Sequence, residues 1–241
     1  MSDFHKHEPK SLANDSYSID SDIKGFEVDL IADAIEAGEI DCVRDLLQQV
    51  SSDSLPHLIS KAGGGSVEIM ELLLERISTA YSASPTLVLI SLEQSLKMAV
   101  EANNVELVKV LLNYRKENAS SGAVGCAFKI KSPPIIRLLF SAHPSLRYYL
   151  STSRKLFNEG RSLNDELVII ECLQALLELS TDNPAHRALE FAVRCDSSIG
   201  IAEFLLENGA TVDAVSGDSR YTILHWAARN TTATAAEMQR G

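Results

Sequence analysis

Val105, Val108, Leu111 and Leu112 stand at i, i+3, i+6 and i+7, so they line one face of a helix, while Glu106 and Lys109 fall off that stripe. Ile40, Val43, Leu46 and Leu47 repeat the pattern, and so do Val67, Met70, Leu73 and Leu74. Each predicted helix therefore has one apolar side that must be covered by a neighbour. The same kind of stretch recurs as "IKSPPIIRLLF" (130–140), "CDSSIGIAEFLL" (195–206) and, more loosely, "LVIIECLQALL" (167–177). Asp41, Glu68 and Glu106 sit in the first turn of three of them, where an acid faces the positive end of the helix dipole.

A shorter apolar helix precedes several of these stretches: "LIADAIEA" (30–37), "SLKMAVEA" (95–102) and "ALEFAVRC" (188–195). The breaks between the paired helices, "AGE", "GGG" and "ANN", are rich in Gly and Asn, which accept the left-handed conformation that ends a helix. Two antiparallel helices per unit, repeated, predict an all-α solenoid of stacked hairpins: about six, with an incomplete seventh. The expected domain spans residues 23–241, and the polar residues 1–22 are expected to be a disordered tail. Irregular insertions are expected over 78–91 and 142–160.

Near the C-terminus, "TILHWAA" (222–228) follows "FLLENGATVDA" (204–214). The first has the form T-x-L-H-x-A-A and the second leaves a helix through Gly209. Together they resemble the ankyrin repeat. Thr222, Leu224, His225, Ala227 and Ala228 match that family's helix-starting motif, with Ile223 in place of its proline. Leu189 and Leu224 are 35 residues apart, near the family period of roughly 33. The resemblance is clearest over residues 184–230. It implies a short β-hairpin-type finger loop near residues 208–221, Thr222 as a helix cap, Leu224 pointing into the helix pair, and His225 bonded to the loop of an adjacent repeat. Proline at the helix start is absent from nearly every other unit, spacings vary between 28 and 38 residues, and upstream finger loops are not evident. The N-terminal units are thus either degenerate ankyrin repeats or another helical-hairpin solenoid.

Function follows from the same reading. Ankyrin-like domains bind proteins through finger tips and the concave face, which here puts Asp213, Ser216, Asp218, Arg220 and Tyr221 at a partner. The expectation is a non-catalytic adaptor or scaffold; the alternative is a regulatory subunit or sensing domain of a larger signalling protein that inhibits or activates a docked enzyme.

Charge adds a second candidate surface. The net charge is −11, yet residues 109–161 hold 10 basic and 2 acidic residues, between acidic flanks. Arg115, Lys116, Lys129, Lys131, Arg154 and Lys155 could receive an acidic protein segment, with Tyr148, Tyr149 and Phe157 nearby, or pair with an acidic region of the chain itself. The acidic total argues against nucleic acid. No catalytic constellation, phosphate loop, cofactor motif or paired metal ligands stand in the sequence. His5 and His7 in a polar tail need no metal to explain them. Four scattered cysteines suit small core hydrophobes, and the absence of a long apolar run or a leader points to an intracellular chain, cytoplasmic or nuclear.

Overall fold

The computed structural model describes residues 16–79, 84–114, 121–142, 154–157, 163–179, 185–195, 197–213 and 221–229. These residues are mostly helical, and no strand occurs among them. The helices are α1 (Ser16–Ala37), α2 (Ile40–Leu46), α3 (Leu55–Ala62), α4 (Val67–Thr79), α5 (Pro85–Glu101) and α6 (Val105–Tyr114). They continue as α7 (Ser121–Ile130), α8 (Pro133–Ala142), α9 (Arg154–Phe157), α10 (Leu163–Leu179), α11 (Ala185–Arg194) and α12 (Ile199–Glu207). Residues 223–229 form a terminal helical segment.

One turn design joins several of the hairpins. Just past α1, α5 and α7 the chain enters the left-handed region: Gly38 at φ +75° directly after α1, Asn103 at +53° two residues after α5, Lys131 at +53° directly after α7. The N–H of that residue and of the one after it return to the helix, as Asn103 N–H to Val100 O and Asn104 N–H to Ala99 O, both 2.9 Å. That pattern satisfies carbonyls the helix end would leave orphaned. The second helix starts at once, capped by a side chain: Asn104 Oδ1 accepts from Leu107 N–H at 3.1 Å, and Ser198 Oγ from Ile201 N–H at 3.3 Å. Ser66 Oγ accepts from Ile69 N–H at the start of α4, and its hydroxyl donates to Glu68, holding that carboxyl below the usual range.

The helices fall into two rows. α1, α3, α5, α7, α9 and α11 follow one another in the first, each against the next; α2, α4, α6, α8, α10 and α12 do the same in the second. α1–α2, α3–α4, α5–α6, α7–α8 and α11–α12 also pack within their hairpins. Every substantial helix contact among the described residues is therefore within one hairpin or between consecutive ones. Val43, Met70, Leu73, Val108 and Leu111 of the stripes are buried, and so are Ile69 and Leu107, which the narrow stripes leave out. α4 and α6 each touch their hairpin partner and both row neighbours, so their buried face is wider than one stripe.

The α3–α5 contact is the tightest. Gly63 lies so close to α5 that a Cβ there would stand 2.6 Å from the Ser95 Cα. Ser95 is fully buried and its hydroxyl serves the carbonyls of Ile59, 2.7 Å away on α3, and Ser91, at 2.9 Å.

Three expectations change. α1 begins at Ser16, inside the stretch 1–22 expected to be a tail: once Ile31 and Ile35 anchor the helix, each residue added costs little and gains a backbone bond. The insertion expected over 78–91 is helical at both ends, leaving 80–84 between α4 and α5. Proline is not missing from the helix starts either, since Pro56, Pro85 and Pro133 each stand in a first turn, where an absent N–H costs nothing. Of the region 208–221 expected as a finger loop, 208–213 are turns and loop, and 214–220 lie outside the described residues.

Gly63→Ala should lower stability by about 1–3 kcal/mol in urea unfolding followed by circular dichroism, because the neighbour it strikes is backbone. Gly65→Ala, where a Cβ meets nothing nearer than 3.7 Å, should stay within about 0.5 kcal/mol of the parent.

Candidate functional site

The terminal motif folds around its own side chains. Thr222 N–H donates to His225 Nδ1 at 3.3 Å, and the Thr222 hydroxyl lies 2.7 Å from the same nitrogen. A backbone N–H can only donate, so Nδ1 is the acceptor and the neutral ring carries its proton on Nε2. The Thr222 carbonyl accepts from His225 N–H at 3.0 Å. His225 is thus tied to its own helix start, not to the loop of an adjacent repeat. That second role belongs to His186 on α11, whose Nδ1 accepts from Thr211 N–H at 2.8 Å, pinning the loop after α12. His186 precedes His225 by 39 residues and follows Pro184 by two.

Leu224 does not point into the pair. It is 56% exposed, and Ile223, at 5%, is buried in its place. One residue turns a helix by about 100°, so a register set by Ile223 carries its neighbour outward. Trp226 lies under the Arg194 guanidinium, 4.5 Å from the ring centroid, with Arg229 at 5.7 Å. Tyr221, 49% exposed, meets Trp226 edge-on at 5.7 Å. The Trp226 indole N–H is enclosed and has no acceptor among the described residues. Tyr221, Leu224 and exposed Asp213 therefore lie on solvent-facing parts of the last described hairpin and the segment after it. Ser216, Asp218 and Arg220 lie outside the described residues.

The basic centre is partly consumed within the chain. Lys131 Nζ stands 3.2 Å from Asp165 Oδ1 with only 12% of its side chain exposed, and Arg137 pairs with Glu178. These bonds tie the α7–α8 turn and α8 to α10. Lys131 is therefore a structural cation and not a free contact for a partner. Lys129 is exposed at the end of α7. Arg154 and Lys155 open α9; Phe157, grouped with them as an interface aromatic, is buried at 6%. Arg115, Lys116, Tyr148 and Tyr149 lie outside the described residues.

Among the described residues no cluster of metal-ligating side chains occurs, and no helix is long and apolar enough to cross a membrane. The four cysteines are free thiols; Cys172 is fully buried in α10, and burial, reinforced by Glu171, pushes its thiol up to about 12. No protein-family model and no curated protein matches the chain.

Ile223→Ala should cost about 2–5 kcal/mol and Leu224→Ala less than about 0.5, measured by urea unfolding; equal costs would put the register elsewhere. Cys172 should resist alkylation at pH 8.5 until denaturant is added, as read by peptide mass spectrometry. The folded thiol keeps a proton that the unfolded one loses, so Cys172 contributes stability below about pH 9 that disappears as pH rises toward 12, and Cys172→Ala should flatten that alkaline loss.

Proposed function

We propose that the chain is a non-catalytic protein-binding module, an ankyrin-like solenoid whose last described hairpin and following segment meet a partner protein. The two rows of helices, with every substantial helix contact among the described residues inside a hairpin or between consecutive ones, support the solenoid reading. The left-handed turns at Gly38, Asn103 and Lys131 support a repeated unit, and His186 and His225, each in the first turn of its helix, support the ankyrin-like form. The binding reading rests above all on exposed Tyr221 and Leu224, held in fixed positions beside the Arg194–Trp226 stack. Aromatic and apolar side chains on a rigid, exposed support suit partner contact.

Affinity capture with mass spectrometry should compare the parent with Tyr221→Ala/Leu224→Ala and with Arg154→Glu/Lys155→Glu. Proteins retained by the parent should be lost with the first variant, at unchanged thermal stability, and kept with the second. Loss only with the second would move the contact to the basic centre, and identical retention by all three would end the assignment.

A further inference from the structure

α2 and α4 lie side by side in the second row and both start directly after a tight turn, but they differ in length. α2 stops at Leu46, while α4 runs on to Thr79, six residues further, or about 9 Å. The flank of α4 left uncovered becomes one wall of an open groove of about 510 Å³, lined by Arg44, Leu47, Gln48, Leu72, Glu75, Arg76 and Thr79. That volume lies within the roughly 300–1,000 Å³ usual for ligand sites.

Arg76 gives the groove its chemistry. Its Nε donates to the Leu47 carbonyl at 3.4 Å, which fixes the side chain across the groove's end. Among the described residues its two terminal nitrogens have no hydrogen-bond or ion-pair partner, and the side chain is half-buried. A guanidinium anchored at Nε presents its remaining N–H groups as a fork that fits a carboxylate. Arg44 adds positive charge at the rim, though Asp41 holds it at 2.6 Å. Leu72, half-buried, offers apolar surface beside the fork, while Leu47 is buried at 4% exposure. Glu75, also on α4, limits the negative charge the groove accepts to a single group placed at Arg76.

We propose that this groove binds a short segment of a partner protein in which one acidic side chain is flanked by aliphatic ones. The carboxylate sits on the Arg76 fork, an aliphatic group lies on Leu72, and Gln48 and Thr79 meet the segment's backbone. An open trough, unlike a closed pocket, lets a chain enter and leave at both ends. The proposal rests on the protein-binding reading but uses a different face of the molecule from Tyr221 and Leu224.

The test titrates the full ¹⁵N-labelled chain with acetyl-Leu-Glu-Leu-amide and with its glutamine counterpart. Saturable shifts are expected at the amides of Leu47, Leu72 and Thr79 and at the Arg76 Nε–H, with the glutamine peptide binding about tenfold more weakly. Arg76→Lys, which keeps the charge and loses the fork, should weaken the glutamate peptide toward the glutamine one. No shift at these positions up to about 10 mM peptide, or equal binding of the two peptides, overturns the proposal. The peptide comparison needs no variant, so it stands even if Arg76→Lys unfolds. Failure here with Tyr221 and Leu224 still required for capture removes the groove alone; loss of that capture effect with groove binding intact removes only the terminal contact.

Discussion

A helix of eight residues cannot stand alone in water, and this constraint governs the array. Isolated helices shorter than about 12–15 residues are marginal. α3 has eight residues, five of them buried: Leu55, Pro56, Leu58, Ile59 and Ala62. Its stability comes from α1 on one side, α5 on the other and α4 beneath. The closest of these contacts is possible only because Gly63 and Ser95 are small, and because the Ser95 hydroxyl finds acceptors where a buried polar atom would otherwise be costly. Each hairpin is in the same position, folded because its neighbours are.

The tight turns transmit that dependence. A left-handed residue followed at once by a capped helix start fixes the angle between two helices within three residues. Asn104 does more than cap α6: its Nδ2 donates to the Gly65 carbonyl at 3.3 Å, joining the turn of one hairpin to the turn of the previous one. The turn edge is thus bonded along its length as the apolar faces are packed along theirs. Side chains that neither system uses are left to solvent, and the groove beside α4 exists because α2 ends before its neighbour does.

Much of this was legible in the residues. The stripes through Val43, Met70 and Val108 located three second-row helices, and the Gly and Asn breaks located their turns. The first half of α5 was not legible, because Leu87, Leu89 and Ile90 are exposed and break the expected amphipathic pattern. Lys131 gave no turn signal, since lysine has no preference for φ +53°; the ion pair with Asp165 and the turn's own hydrogen bonds hold it there. At the terminal motif the family pattern pointed to Leu224, and a one-residue difference in register placed Ile223 inside instead. His186 carried a signal, Pro184 two residues ahead of it, that the departures elsewhere obscured. Arg76 carried none: its significance depends on where α2 stops, a property of the packed array and not of residues near 76.

Charge segregation along the chain has a similar explanation. A basic stretch between acidic ones suggests a surface awaiting an acidic partner. Yet Lys131 and Arg137 turn toward Asp165 and Glu178, which follow them by 34 and 41 residues, about the distance that brings one second-row helix beside the next. Lys61 and Glu36, 25 residues apart at 3.0 Å, make the same kind of link between α1 and α3. Where consecutive hairpins pack side by side, opposite charges one hairpin apart become spatial neighbours, so an alternation along the sequence becomes attraction between hairpins. Exposed pairs of this kind add little stability each, but they penalise a hairpin docked out of register, where like charges would meet. Lys131 and Arg137 of the basic centre therefore serve first to hold neighbouring helices in register.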